Sequence, residues 1–339
     1  MPALDWVVNL ALDAGTKPDV LVVGAGSAGL AAAVSAARHG ARVLLLDERA
    51  EAGGRLRYRI QPSAASRDGT SASDSESPRE MLGRLLSEAA AAGVQMLPNT
   101  VAWGRFAGGS VGAARGNEPL LLHPGATVLC AGSTDLPLPF PGWSLPGVVA
   151  ARAALILVTQ WRVLPGRRWA VVGGHPDGEE VATALSLAGG EVVAVAPAGA
   201  ALSATAGADG ALAALAVDGE RFAVDMVAVA AGRQPDPALA VMSGVAMGYD
   251  PDLGGHVPLL DAAGRTSDPR LLVAGEAAGV CSPEVARAEG RIAGIAAAAV
   301  VGRAGEADVA AALAADSDAL AERLAIRRGL QPVYEQAYQ

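Results

Sequence analysis

The residues with the clearest chemistry sit in two glycine turns near the start of the chain. Gly24-Ala25-Gly26-Ser27-Ala28-Gly29 fits the pattern G-x-G-x-x-G and lies between an apolar run, Asp19 to Val23, and an alanine-rich stretch ending at His39. Gly24 permits a tight turn, Gly26 lets a pyrophosphate approach the backbone, and Gly29 allows close packing of helix on strand. Ser27 and Ala28 then open a helix whose first amides and positive dipole end face an anion. Asp47 closes the following apolar run, Arg42 to Leu46, where a carboxylate can accept hydrogen bonds from ribose hydroxyls. A glycine turn that binds nothing is the alternative; the two flanking strands and Asp47 favour the binding turn. Glu48-Arg49-Ala50-Glu51-Ala52-Gly53-Gly54-Arg55 follows at once, its double glycine suited to a backbone turn beside a ligand and Arg49 and Arg55 suited to phosphate. A solvated loop explains the same residues equally well.

Strands and helices must hold these turns in place. Val20 to Val23, Ala28 to His39 and Arg42 to Asp47 read as strand, helix, strand. Gln61 to Glu80 is rich in Ser, Asp and Ala and too poor in large apolar residues to offset its ordering entropy, so it reads as a surface loop. A helix is expected over Met81 to Ala92, a strand over Val94 to Leu97, and an apolar strand running into Ala131-Gly132. The proline-dense stretch Pro137 to Pro146 blocks helix and sheet pairing and marks a domain crossover. A second strand-glycine-helix-strand unit begins at Trp169 and returns at Glu191 to Val195; Met226 to Ala230 then meets Ala231-Gly232-Arg233-Gln234-Pro235. Leu271-Leu272-Val273-Ala274-Gly275-Glu276 leads to a small-residue helix over about Pro283 to Val301.

The expected fold is α/β: a Rossmann-like domain carrying a second, inserted Rossmann-like domain. The boundaries are 1–140 and 236–302 for the two parts of the first domain, 141–235 for the insertion and 303–339 for a helical tail.

Composition removes several function classes. Thirty-five acidic against 26 basic residues leave a net charge of -9, the wrong balance for nucleic acid. Met1 to Thr16 has no signal-peptide pattern, and the chain has no run of about 18 apolar residues, so it reads as soluble and cytoplasmic, reaching a membrane only through partners. Cys130 and Cys281 are the only cysteines, which excludes paired-thiol chemistry and a zinc cluster. His39, His123, His175 and His256 are scattered without carboxylate or nucleophile patterns, so no catalytic residue and no metal ligand is assigned.

Taken together, Gly24-x-Gly26-x-x-Gly29, Gly53-Gly54, Ala131-Gly132, Ala231-Gly232-Arg233-Gln234-Pro235 and Val273-Ala274-Gly275-Glu276 resemble the two-dinucleotide-domain flavoproteins of the glutathione reductase and ferredoxin reductase type. The resemblance implies FAD across Gly24 to Gly29, Asp47, Glu48, Arg49, Gly54, Arg55, Val101, Ala131, Gly132 and Gly275, with Glu276 on the ribityl chain where the family usually has Asp. A narrower resemblance rests on Ala131 to Val148, Asp250 to Pro258 and Glu289-Gly290-Arg291-Ile292-Ala293-Gly294. These are similar to the A or alpha subunits of opine oxidases, hydrogen cyanide synthase and dye-linked proline dehydrogenases, and to part of the sarcosine oxidase alpha chain.

That narrower resemblance implies an electron-transfer subunit of a hetero-oligomeric amine or amino-acid dehydrogenase. Its partner would be a beta subunit related to glycine and D-amino-acid oxidases. It also admits FMN at a subunit interface, ATP in place of FAD, and a small [2Fe-2S] subunit, since two cysteines are too few for a cluster here. The second nucleotide unit, Gly173-Gly174-His175-Pro176-Asp177-Gly178, departs from the fingerprint. His175 stands at its central glycine, Pro176 lacks an amide, and Asp177 adds negative charge, all of which oppose NAD(P). The alternatives are a self-sufficient NAD(P)H-dependent FAD reductase and a scaffold holding an adenine nucleotide.

Overall fold

The computed structural model describes residues 17–60, 76–173, 176–321 and 323–325. The chain divides into two compact units, one of residues 1–56, 79–133 and 234–339, the other of residues 57–78 and 134–233. The divisions therefore fall near 133 and 233 rather than at 140 and 235. In addition, residues 57–78 group with the second unit and not with the first domain's opening part. Tyr58 accounts for this: its ring is fully buried among Ala154, Leu155, Trp169 and Val181.

The first unit is built on a five-stranded parallel sheet. Its strands, in spatial order, are Leu271–Val273, Ala126–Leu129, Val20–Val23, Val43–Leu46 and Gln95–Leu97. The three central strands are buried at every position, the pattern of a parallel sheet covered on both faces. Helix Ser27–Arg38 packs against helix Pro283–Val300 at a separation only glycine permits, since a Cβ on Gly290 or Gly294 would strike the carbonyl oxygen of Ala28 or Ala32. On the other face lies an antiparallel sheet of Thr100–Arg105, Val111–Arg115 and Glu118–Leu122, whose Val111, Ala113 and Leu122 share a core with Leu21, Leu44 and Leu129.

One local boundary is revised. The helix expected to start at Met81 begins at Pro78, because proline suits a first helical turn and Glu80 complements its dipole. Of the segment read as a loop, residues 61–75 lie outside the described residues. The stretch read as a tail contains helix Glu306–Ala315, and Val309, Ala312 and Leu320 belong to the same core as Val20 and Ile292.

The second unit carries a parallel sheet ordered Glu191–Ala196, Arg168–Val172, Met226–Val229 and Val148–Ala150, flanked by helices Ala151–Thr159 and Pro176–Leu187. An antiparallel sheet of Leu202–Ala206, Leu212–Val217 and Glu220–Ala223 completes it.

Candidate functional site: a nucleotide cradle at the strand ends

The glycine turns at Gly24, Gly53, Gly132 and Gly275 gather at one edge of the parallel sheet, beyond the C-terminal ends of its strands, where open α/β sheets bind ligands. Gly24 has a φ of 99°, and a Cβ there would collide with the carbonyl of Cys130. Gly29 is seated so closely on Gly24 that any side chain would meet its carbonyl oxygen. Gly26 differs: among the described residues nothing lies within 4 Å of the place its Cβ would take. The middle glycine faces open space, as backbone approach by a ligand requires.

Gly26 is also the N-cap of helix Ser27–Arg38, which among the described residues has no side-chain cap and no acidic residue in its first turn. The first amides and the dipole of this helix are therefore not neutralised from within the helix itself. The second glycine loop closes on the cradle: Gly53 N donates to Ala25 O at 2.8 Å, and a Cβ on Gly54 would sit 3.0 Å from Gly26 Cα. Asp47 is tied in as well, its Oδ2 accepting from Ala25 N at 2.6 Å and its Oδ1 from Arg49 N at 2.8 Å. Both oxygens keep a lone-pair direction for a hydroxyl. Glu48 is exposed and Arg49 half-buried in the turn after Asp47.

A short helical turn, Gly275–Ala278, forms the opposite wall, with Ala274 N donating to Leu129 O at 3.0 Å. A Cβ on Gly275 would lie 2.6 Å from that of Ala28, so this turn abuts the start of the first helix. The Glu276 carboxylate accepts from Ser133 Oγ at 2.9 Å, and Arg55 Nε lies 3.7 Å from it. Ser133 follows Ala131 and Gly132; Gly132 has a φ of 84° with nothing crowding it. Two side chains thus hold the Glu276 carboxylate in this wall. Thr100 N donates to Asp47 O, which brings Val101 beside the cradle, its own side chain half-exposed on the strand Thr100–Arg105.

Three residues of this wall are given no site role by the sequence: Ser133 and Glu289, which appear there only within resemblance motifs, and Arg323, which does not appear at all. Glu289 Oε2 accepts from Gly275 N at 2.8 Å, and Arg323 Nε donates to Glu289 Oε1 at 2.8 Å. Glu289 enters the sequence reading only within the motif Glu289 to Gly294; the local sign of it is a carboxylate in the middle of helix Pro283–Val300, a helix rich in alanine and glycine, where the other acid, Glu284, stands in the first turn. Nothing near Arg323 in sequence marks it, since its partners are 34 to 48 residues away. Burial, with the Glu289 charge adding to it, pushes the Cys130 thiol well above its ordinary value, so this cysteine is a protonated core side chain. Among the described residues no group of three or more metal-ligating side chains occurs, and no helix is long and apolar enough to cross a membrane.

The second unit repeats the backbone device. A Cβ on Gly173, at φ 134°, would strike Ala230 O, and one on Gly178 would strike Gly173 O, as at Gly24 and Gly29. Gly174 and His175, the position read as an obstruction, lie outside the described residues. What the helix start does show is Asp177, only 8% exposed, with its Oδ2 accepting from Arg233 Nε at 2.8 Å. Its first turn also holds Glu179. Two carboxylates thus stand in the first turn of this helix and complement its dipole, where the first turn of helix Ser27–Arg38 has none.

The residues of the first cradle fit FAD: an open central glycine, an uncapped helix start, a carboxylate on the second strand and an acidic residue in the final turn. A family model for pyridine nucleotide-disulphide oxidoreductases matches residues 18–205. The opine oxidase A chain of Agrobacterium tumefaciens is 28% identical over 86% of this chain and 67% of its own length. The sarcosine oxidase alpha chain of Rhizobium meliloti is 35% identical over 52% of this chain, which spans only 18% of that protein. Among solved structures, L-proline dehydrogenase from P. horikoshii superposes with a TM-score of 0.72 at 24% identity, over 83% of this chain and 55% of that one. Thioredoxin reductase from T. acidophilum superposes at 0.61 with 17% identity, over 84% and 98%. The match over more than half of its length, with the doubled Rossmann-like fold, places the chain in the pyridine nucleotide-disulphide oxidoreductase family of flavin-dependent enzymes.

Proposed function

We propose that the chain is the FAD-binding, electron-transfer component of a multi-subunit dehydrogenase or oxidase whose substrate is an amine or amino acid such as proline, hydroxyproline, an opine or sarcosine. The observation that carries this reading is the contrast between the two helix starts. That of Ser27–Arg38 is open and has no acid in its own first turn, while that of Pro176–Leu187 holds its own buried carboxylate paired with Arg233. One unit is thereby ready for a dinucleotide, and the other opposes one.

FAD at the first cradle would supply a two-electron acceptor able to release electrons singly. Gly24 to Gly29 would carry its pyrophosphate, with Arg49 and Arg55 adding positive charge. Asp47 would accept from the ribose, and Ala131, Gly132 and Val101 would line the backbone path. Glu276, held by Ser133 and Arg55, would accept from the ribityl hydroxyls. No acid, base or nucleophile is assigned to this chain. The C–N bond would be oxidised in a partner subunit of the glycine and D-amino-acid oxidase class, with FMN at the junction and a [2Fe-2S] cluster on a third, small subunit. The names of the relatives, each a component of an oxidase, support the assembly.

Native purification with mass spectrometry of nucleotides and companion chains tests this. A yellow protein releasing FAD and accompanied by a second flavoprotein chain is expected. A colourless protein releasing ATP would make the chain a scaffold for an adenine nucleotide, and the isolated chain oxidising proline or sarcosine at full rate would overturn the division of labour.

A further inference from the structure

The ion pair of Glu289 and Arg323 is enclosed, each residue only 5% exposed. Burying opposite charges gains little over a well-packed apolar pair, so the reason for this one lies in what else it holds. It holds the final turn of the cradle. Glu289 Oε2 takes the amide of Gly275, while Arg323 donates through Nη2 to Gly275 O at 3.1 Å and Gly279 O at 2.6 Å, and through Nη1 to Val280 O at 2.9 Å. These four backbone groups flank Glu276 on both sides. Gly275 and Gly279 have φ values of 71° and 130°, so the turn's path depends on groups outside it. Helix Pro283–Val300, which carries Glu289, is locked to the first helix one residue later, where Gly290 lies on the Ala28 carbonyl.

We propose that Arg323 is a positioning residue for the flavin: the segment after residue 303 reaches back into the first unit and, through Glu289 and the carbonyls of Gly275, Gly279 and Val280, sets the place of Glu276 and the electrostatic potential beneath it. This rests on the FAD reading of the cradle. Lysine cannot serve in place of arginine here, because one ammonium lacks the planar fork that reaches a carboxylate and three carbonyls together. The charges act separately from the geometry. Without Arg323 the Glu289 carboxylate loses its guanidinium partner and disfavours added electrons at the site; without Glu289 the guanidinium favours them.

The test uses the full chain with FAD as the probe, following affinity by quenching of flavin fluorescence and the potential of the bound flavin by dye equilibration. Arg323→Lys should bind FAD about tenfold more weakly than wild type. Arg323→Gln should shift the flavin potential downward and Glu289→Gln upward. Arg303→Gln, at the surface pair with Asp19, is the control and should leave both readouts at wild-type values. A purely structural role would move melting temperature alone. Arg323→Lys binding FAD as tightly as wild type, or Arg323→Gln and Glu289→Gln shifting the potential in the same direction, overturns the proposal. Should Arg323→Gln not fold, Arg323→Lys still decides on affinity and Glu289→Gln on the sign of the potential. Wild-type chain that takes up no FAD overturns the FAD reading and this inference with it; wild-type binding with unaffected variants overturns this inference alone.

Discussion

Gly26 and Gly29 are three residues apart and answer to different demands. A methyl group on Gly29 meets the backbone of Gly24, which cannot yield, whereas one on Gly26 meets nothing. Gly29→Ala is therefore expected to cost about 1–3 kcal/mol or more of folding stability, measured by denaturant unfolding of the apoprotein. Gly26→Ala should leave apoprotein stability within about 0.5 kcal/mol of wild type while weakening FAD binding. Equal loss of stability in both would mean that the cradle is a packing turn and not a ligand site. Both backbone geometries, Gly29 packed and Gly26 open, were legible in sequence, because the G-x-G-x-x-G spacing encodes them and needs no partner. The other half of the wall was not. Ser133 and Glu276 are 143 positions apart and Arg323 and Glu289 are 34 apart, so no local pattern could join them.

Two elements of the first unit are held by features that invite measurement. Helices Ser27–Arg38 and Pro283–Val300 meet through glycines, and Gly294→Val would push against the Ala32 carbonyl. That change should lower the melting temperature strongly and loosen the cradle with it, since the first helix starts at Gly26 and carries the proposed pyrophosphate site. Wild-type thermal stability in the variant would refute the close approach. The entry to the first strand is tied by Asp19, whose Oδ1 and Oδ2 accept from the Arg42 side chain and whose Oδ2 also accepts from Arg42 N. The hydrogen bond from the Arg42 side chain is the main cause that holds the Asp19 carboxyl at about 2, below its ordinary 3.8. With the folded value depressed, its stabilisation is fully present above about pH 4 and is lost as pH falls through about 2. Asp19→Asn should accordingly be less stable than wild type at neutral pH, with the difference closing between those limits in a series of melting curves. A constant difference down to pH 2 would assign the effect to something other than the carboxylate charge. Element types were readable from apolar runs and glycine stops. The early start at Pro78 and the core role of Val309 and Leu320 were not, because the helix end depends on a proline's fit and the burial on a partner helix far along the chain.

At the scale of the whole chain the two units carry the same backbone device with opposite electrostatics. Asp177 at the second helix start is paired with Arg233, and no comparable acid stands in the first turn of the first helix. Adding NADH or NADPH anaerobically to the FAD-loaded chain should therefore leave its visible spectrum unchanged over minutes, while an electron-donating partner protein bleaches it. Rapid bleaching by either nicotinamide would instead make the chain a self-sufficient reductase. The repeat itself was visible in sequence as two strand-glycine-helix units, and the doubled fold follows from it.

What the sequence alone determined was the set of backbone geometries: apolar runs long enough for buried parallel strands, and glycines at the spacings a phosphate turn requires. Those are local properties, written in consecutive residues. The tertiary structure decided which charges meet. It pairs Asp177 with Arg233, presses Glu276 against Ser133 and Arg55, and brings Arg323 back to Glu289 beneath Gly275. Charged groups far apart in the chain acquire their partners only when the core brings their elements together, and their energies depend on the burial that results.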